Sequence, residues 1–159
     1  MYEKIIDELL QRIDQVTSLY NRLILLVAPS GRGKSSILQV LQKKTKAPFI
    51  NIGLELSQKL LEFNERQRAL QVNRLISNLL NTFNSDLVLL DNIEILFQPS
   101  LQLDPLRLLQ KLSRDRTIVA AWNGCVKDGD LIYAAPEHPE YRRYPIHDLT
   151  IITLEDANE

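Results

Sequence analysis

Cysteine is nearly absent from this chain of 159 residues, and the lone thiol of Cys125 has no second cysteine to pair with. A disulfide-stapled scaffold and a cysteine-based zinc finger are therefore excluded. The chain also has almost no net charge, because 19 basic residues stand against 20 acidic ones, so it has no overall attraction to nucleic acid or anionic lipid. Long apolar runs are missing too, since Leu23–Ala28 is far shorter than the roughly 20 residues that span a bilayer.

The rest of the composition is that of an ordinary globular protein, with 45% hydrophobic and 25% charged residues. The length suits one domain, which we expect to cover residues 1–159. The first residues, Met1-Tyr2-Glu3-Lys4, lack the apolar core of a signal peptide. Together with the single cysteine, they predict a cytoplasmic protein without membrane contact.

Short apolar runs alternate with segments of helical periodicity along the chain. A run that is apolar at every position is typical of a strand buried on both faces of a parallel sheet. The alternation predicts an α/β fold, with a doubly wound and mostly parallel sheet of five strands. The predicted strands are Leu23–Ala28, Phe49–Ile52, Asp86–Asp91, Thr117–Trp122 and Leu149–Thr153, and the predicted helices are an N-terminal amphipathic helix within 1–20, Ser35–Lys44, Leu54–Thr82 with a break at Asn64–Arg68, and Leu106–Leu112.

The periodicity fails between residues 124 and 146, where we expect an irregular insertion before the last strand. Within it, the turn signal Asp128-Gly129-Asp130 predicts a small ribbon that pairs Val126-Lys127 with Leu131–Tyr133. The final residues, 155–159, are predicted to form a frayed acidic tail.

The segment Ala28-Pro29-Ser30-Gly31-Arg32-Gly33-Lys34-Ser35 matches the Walker A pattern, G-x-x-x-x-G-K-[ST], at every fixed position except the first. At that position alanine replaces glycine, where the predicted strand ends. The glycines of this pattern allow consecutive main-chain N–H groups to turn inward around an anion. The flanking strand and helix favour this reading over a glycine-rich turn that merely carries a lysine.

The loop therefore predicts a site for ATP and Mg²⁺. Lys34 would bring an ammonium group to the β- and γ-phosphates, and the hydroxyl of Ser35 would bind the metal. The N-terminus of the following helix adds free amides and its dipole. The expected nucleotide-binding residues are Pro29, Ser30, Gly31, Arg32, Gly33, Lys34, Ser35 and Ser36.

A second candidate metal ligand is Asp91, which ends the apolar run Leu87–Leu90 as in a Walker B motif. At the carboxyl end of a parallel strand, its carboxylate would face the same crevice as the glycine loop. There it would hold Mg²⁺ together with Ser35. The alternative is a purely structural aspartate at the end of a strand.

The order of these motifs resembles the ASCE division of P-loop ATPases, and AAA+ domains in particular. The resemblance implies that the strand after Asp91 lies beside the glycine-loop strand and ends in a γ-phosphate sensor, Asn123, for which an Asn-Gly turn is the alternative. AAA+ ATPases usually have glutamate directly after the Walker B aspartate, but this chain has Asn92, which cannot accept a proton from water. Glu94 or Glu55 could supply a carboxylate, although both could equally face solvent, so we expect slow or partner-dependent hydrolysis.

The same resemblance implies an arginine that reaches into the site of a neighbouring subunit. Arg142 and Arg143, ahead of the last strand, match its position, and the alternative is that they pair with nearby glutamates. Arg114 and Arg116 form a second basic cluster that could serve the neighbouring site, a partner or DNA. Few residues follow the last strand, so we expect a core without the AAA+ helical lid.

Three further stretches, Asn51–Ser57, Leu90–Phe97 and His138–Tyr144, narrow the resemblance, with Leu103–Leu106 between the last two. Together they resemble the small P-loop protein of BREX bacteriophage-defence systems, the BrxF family, over nearly the whole chain. The resemblance implies a cytoplasmic prokaryotic protein encoded beside a DNA methyltransferase, a large ATPase and a phosphatase-like partner. It implies nothing firm about the chemical step.

We therefore expect an ATP- and Mg²⁺-binding NTPase that self-associates when nucleotide is bound and acts with other BREX proteins. One alternative is a non-hydrolysing nucleotide-binding adaptor, and another is a DNA-binding module built on arginines of 66–74 and 107–116, which the near-neutral charge disfavours. A small-molecule kinase is a further alternative, but no substrate-binding lid is recognisable. The expected catalytic residues are Lys34, Asp91, Asn92, Glu94, Asn123, Arg142 and Arg143.

Overall fold

The apolar runs of the sequence form the strands of a central sheet. In a computed structural model that describes residues 2–154, the chain contains eight strands. The acidic tail predicted at 155–159 lies outside the described residues. In chain order the strands are β1 (Leu23–Ala28), β2 (Phe49–Asn51), β3 (Leu87–Asp91), β4 (Thr117–Asn123), β5 (Cys125–Lys127), β6 (Asp130–Tyr133), β7 (Arg142–Pro145) and β8 (Thr150–Thr153).

Five strands form the central sheet in the order β2-β3-β4-β1-β8, and each neighbouring pair is parallel. β4 therefore lies between β3 and β1, as the resemblance implied for the strand after Asp91. Ala28 pairs in register with Asn123, and Asn51 pairs with Asp91. The carboxyl ends of these strands consequently meet at one edge, where the loops that follow them lie side by side.

Helices cover both faces of this sheet, which confirms the predicted α/β fold. In chain order they are α1 (Glu3–Val16), α2 (Lys34–Thr45), α3 (Ile52–Leu60), α4 (Glu65–Asn81) and α5 (Pro105–Leu112). Buried residues of α1 and α2 pack on one face, and those of α3, α4 and α5 pack on the other. Leu25 and Leu26 are both fully buried but belong to opposite faces. This is why the strand had to be apolar at every position.

Asparagine side chains fix two helix starts. Asn51 accepts a 3.0 Å hydrogen bond from the amide of Leu54, so α3 begins at Ile52, which the sequence had assigned to the preceding strand. Asn64 caps α4 and forms a reciprocal capping box with Gln67. The predicted break between the two helices is therefore real, but it precedes the polar segment, which forms the first turn of α4.

The irregular insertion predicted at 124–146 is instead a second, three-stranded sheet. β5 and β6 form the expected antiparallel ribbon, and β7 adds a third strand on the other side of β6. β7 has no sequence signal, because Arg-Arg-Tyr-Pro contains two charged residues and a proline rather than an apolar alternation. This small sheet carries Arg142 and Arg143.

Membrane insertion through a helix finds no support in the part of the chain that the structure covers. Among residues 2–154, no helix combines the length and the apolar character needed to cross a bilayer.

Candidate functional site

Two glycines shape the loop between β1 and α2. Gly31 and Gly33 have φ values of 82° and 90°, in the left-handed region that residues with a Cβ rarely adopt. A Cβ at Gly33 would also lie only 2.7 Å from the hydroxyl oxygen of Tyr2. No side chain caps the first turn of α2. The first amides of this helix are therefore available to an anion.

Lys34 opens α2 and is only 6% exposed. Its ammonium group donates hydrogen bonds to the carbonyl oxygens of Ala28 (2.8 Å) and Pro29 (2.9 Å), which folds the side chain over the loop. Burial lowers the pKa of Lys34, whereas the negative charges of Glu94 and Asp91 raise it. An ammonium group has three N–H donors, so one remains for a further acceptor.

The hydroxyl of Ser35 donates a 2.6 Å hydrogen bond to Oδ2 of Asp91. This contact joins the first turn of α2 to the end of β3, across 56 positions of sequence. A hydroxyl and a carboxylate are hard oxygen donors that suit Mg²⁺, which commonly takes one or two carboxylates besides water and phosphate. The pair therefore fits a magnesium ion. No cluster of three or more His, Cys, Asp or Glu side chains offers another metal site within residues 2–154.

These groups line one cleft of about 300 Å³ at the carboxyl edge of the central sheet. Such a volume lies at the lower end of small-molecule sites. The cleft brings together residues from three separate parts of the chain, all of them candidates from the sequence. They are Ser30, Gly31, Gly33, Lys34, Ser35, Ser36, Asp91, Asn92, Glu94 and Asn123.

Glu94 lies in a 3₁₀ turn, Ile93–Phe97, that follows β3. Burial is the largest cause that raises the pKa of Glu94; the negative charge of Asp91 adds to the effect and Lys34 opposes it. An ionised carboxylate with a raised pKa is a stronger base and therefore a better proton acceptor. Among the residues that line the cleft, Asp91 and Glu94 are the carboxylates.

Asn92 turns the chain from β3 into this 3₁₀ turn. Its φ of 53° lies in the left-handed region, which asparagine tolerates better than most residues. The side chain is exposed and lines the cleft. The position directly after Asp91 therefore presents a side-chain amide to the cleft rather than a carboxylate. Besides Asp91, the carboxylate that lines the cleft is that of Glu94.

Other candidates lie outside the cleft lining. Pro29 contributes its carbonyl oxygen to Lys34 instead, and Arg32 is exposed on the loop. Glu55 lies in the first turn of α3 and does not reach the cleft. Of the two alternative carboxylates that the sequence offered, Glu94 is the one at the site.

The two arginines expected to act on a neighbouring subunit lie on β7, away from the cleft lining. Arg142 donates a 2.7 Å hydrogen bond to the carbonyl oxygen of Leu103. Arg143 forms an exposed ion pair with Asp130, with 2.5 Å between Nε and Oδ2, and this hydrogen bond raises the pKa of Arg143. The acidic partner is therefore an aspartate of β6 rather than one of the nearby glutamates.

The second basic cluster lies at the opposite edge of the sheet, before β4 begins. The guanidinium carbon of Arg114 lies 4.7 Å from the centroid of the Tyr20 ring. Arg116 donates a 2.8 Å hydrogen bond to the carbonyl oxygen of Leu80, near the end of α4. Both arginines are thus engaged within the chain.

A larger groove of about 720 Å³ lies between the start of α4 and a second 3₁₀ turn, Pro99–Leu101. None of the candidate catalytic or nucleotide-binding residues lines it. The smaller cleft combines a buried ammonium group with a carboxylate of raised pKa, and such combinations are typical of functional sites. We therefore take the smaller cleft as the candidate site. The larger groove is lined by Asn64, Glu65, Arg66, Ala69, Leu70, Ser100 and Gln102.

One neighbour of the glycine loop, Tyr2, has no signal in the sequence. Tyr2 places its hydroxyl against Gly33, and its ring packs beside the core shared by α1 and α2. The periodicity of α1 predicts which side chains are buried, but it contains no signal for a contact with a loop some 30 positions away.

Glu94→Gln is expected to stabilise the protein near neutral pH. Because burial raises the pKa of Glu94 above its ordinary 4.5, ionisation is less favourable in the folded state than in the unfolded state. Below pH 4.5 the carboxyl group is protonated in both states, and its contribution to the stability of the folded state is fully present. That contribution is lost as the pH rises through the raised pKa of the folded state. Urea unfolding should therefore show a gain for the variant at about pH 7 to 8 that shrinks toward about pH 4.

The matched control is Glu137→Gln, which changes an exposed carboxylate. It should not reproduce this pH dependence. A gain for Glu94→Gln of the same size at every pH would contradict the burial of this carboxylate as its cause.

The cleft thus combines a main-chain loop suited to anions, a buried ammonium group and a hydroxyl–carboxylate pair. Neither a protein-family model nor a curated protein matches the chain.

Proposed function

We propose that the chain binds a nucleoside triphosphate with Mg²⁺ in this cleft, as a P-loop NTPase with an AAA+-like core. The observation that carries the proposal is the meeting of Lys34, Ser35 and Asp91, with 2.6 Å between the serine hydroxyl and the carboxylate. In P-loop NTPases these residue types serve the phosphates and the metal. The position of β4 between β1 and β3 supports the same assignment.

Each group has a distinct binding role under this proposal. The amides of the glycine loop and of the first turn of α2 bind phosphate oxygens, where the helix dipole favours negative charge. Lys34 offers its remaining donor to the β- and γ-phosphates. Ser35 and Asp91 hold Mg²⁺, which supplies positive charge to the phosphate oxygens when bound.

We propose slow hydrolysis as the reaction. Water attacks the γ-phosphorus and the bond to the β–γ bridging oxygen breaks, so that the nucleoside diphosphate leaves with that oxygen. The proton of the water passes to Glu94, and inorganic phosphate is formed. The raised pKa of Glu94 suits it to this task. The amide of Asn123, at the end of β4, suits a contact with the γ-phosphate or with the attacking water.

Asn92 favours a second candidate, a switch that binds the nucleotide without hydrolysing it. This amide occupies the place where AAA+ ATPases have glutamate, and it can orient a water molecule but cannot take its proton. The two candidates share the binding site and differ in the fate of the triphosphate.

We further propose that bound nucleotide promotes self-association, with Arg143 acting across the interface. Arg142 is held by the carbonyl of Leu103, whereas Arg143 is exposed and its pairing with Asp130 faces solvent. Exposed ion pairs contribute little to stability, so Arg143 is released at small cost. This arginine is therefore the better candidate of the two.

The resemblance to the BrxF family supports a role in BREX phage defence, in the cytoplasm and with other BREX proteins as partners. We do not propose direct DNA binding. Two of the arginines offered for DNA are used within the described part of the chain, since Arg68 donates to the carbonyl oxygens of Leu60 and Phe63, and Arg116 donates to that of Leu80.

Lys34→Ala is expected to weaken ATP binding by at least about tenfold. A hydrogen bond to a charged group contributes about 1.5–3 kcal/mol, and about 1.4 kcal/mol corresponds to a factor of ten. Titration calorimetry with Mg²⁺ present measures the effect. The matched control is Lys44→Ala, at the exposed end of the same helix, which should bind like the unmodified protein. Equal affinities for the Lys34 variant and the unmodified protein would sink the proposed function, provided circular dichroism shows that the variant is folded.

Mass measurement by light scattering should give a larger species with ATP and Mg²⁺ than without them.

If Arg143 acts on a neighbouring site, phosphate release per chain should rise with protein concentration. Arg143→Ala should remove this rise, whereas the control Arg74→Ala, at an exposed arginine of α4, should keep it. A monomer both with and without ATP and Mg²⁺ would exclude the proposed action of Arg143 across a subunit interface. Binding without any phosphate release would favour the switch.

A further inference from the structure

Four aromatic side chains pack together: Phe97, Trp122, Tyr133 and Tyr144. The rings of Phe97 and Tyr133 stack with centroids 3.6 Å apart and planes 10° from parallel. Trp122 meets these two rings edge-on at 5.2 Å and 6.0 Å, and Tyr144 meets Trp122 at 6.0 Å. This aromatic cluster joins the 3₁₀ turn after β3, the end of β4 and the small sheet.

The cluster and its hydrogen bonds hold the small sheet against the central one. Trp122 is fully buried, and its indole N–H donates a 3.2 Å hydrogen bond to the carbonyl oxygen of Ile132 in β6. Gly124 permits this approach, since a Cβ there would overlap the same oxygen. The hydroxyl of Tyr144 donates a 2.9 Å hydrogen bond to Asp104, at the start of α5. The first hydrogen bond therefore ties β6 to β4, and the second ties β7 to the start of α5.

Glu94 lies in the same 3₁₀ turn as Phe97, whose ring stacks on that of Tyr133. Glu94 and Phe97 are three positions apart in the 3₁₀ turn Ile93–Phe97, and residues at this spacing lie above one another on one face. A restraint on Phe97 is therefore a restraint on Glu94. Tyr133 is itself buried, and Glu94 is close enough for its charge to help raise the pKa of the Tyr133 hydroxyl, for which burial is the larger cause.

We propose that Tyr133, by stacking on Phe97, is a positioning residue for Glu94 in the hydrolysis proposed above, so that the small sheet forms part of the catalytic apparatus. The inference rests on the proposed function, because it assigns a role within that reaction. Tyr133 does not line the cleft. It acts by limiting the movement of the turn, and misplacement of a catalytic group by about 1 Å can cost on the order of a hundredfold in rate.

Tyr133→Ala and Tyr133→Phe separate this role from the general stability of the fold. The alanine variant loses the ring, so its kcat for phosphate release should fall roughly ten- to a hundredfold while KM and the Kd for ATP stay unchanged. The phenylalanine variant keeps the stack and should hydrolyse like the unmodified protein. If the alanine variant is not folded by circular dichroism, Tyr133→Leu, which fills the space without a ring, replaces it.

Amide hydrogen exchange gives a readout that does not depend on turnover. Without nucleotide, peptides covering 92–98 should exchange faster in the alanine variant than in the phenylalanine variant, while peptides of α2 stay unchanged. Equal exchange at 92–98, or full kcat in the alanine variant, overturns the inference and leaves the proposed function intact. An unmodified protein that binds ATP but releases no phosphate overturns the inference and keeps the binding site. An unmodified protein that binds no ATP overturns both.

Discussion

The candidate site depends above all on the parallel register of β1, β3 and β4. This pairing sets Ala28 beside Asn123 and Leu90 beside Ala120, so that the loop, the aspartate and the asparagine leave the sheet at one edge. Side chains alternate between the faces of a strand, so a slip by one position would turn Asp91 to the other face. The 2.6 Å contact between Ser35 and Asp91 would then be lost.

The charges in the cleft explain why a divalent cation belongs to the proposed ligand. One ammonium group, that of Lys34, faces the two carboxylates of Asp91 and Glu94 among the residues that line the cleft. A triphosphate alone would add several negative charges to this excess of carboxylate. A divalent cation held between Asp91, Ser35 and the phosphates would offset both sources of repulsion. Without the cation, the carboxylates of Asp91 and Glu94 would therefore repel the triphosphate.

The sequence predicted those parts of the molecule whose causes are local. Strands that are buried on both faces must be apolar throughout, and the spacing of Gly31, Gly33 and Lys34 reflects the backbone of one loop. The buried strands and the glycine loop could thus be predicted from the residues themselves, whereas the strand order that brings Asn123 beside the loop was implied by the resemblance to AAA+ domains. β7 could not, because its pairing with β6 stabilises a segment that lacks strand periodicity. The contact of Phe97 with Tyr133 could not be predicted either, since it joins separate elements through the packing of the whole cluster.

The small sheet, which looked irregular in the sequence, links two unusual features of the proposed site. These are the proposed proton acceptor Glu94 and the exposed Arg143. Asn92 leaves the position after Asp91 without a carboxylate, so under the proposed function the proton passes to Glu94, which lies in the 3₁₀ turn that follows. Phe97 of that turn stacks on Tyr133 of β6, and Arg143 pairs with Asp130 of the same strand. Under the proposed function, a neighbouring subunit that engages Arg143 would act on the strand that positions Glu94. Partner-dependent hydrolysis would then follow from contact with the small sheet, even where the arginine itself does not enter the neighbouring cleft.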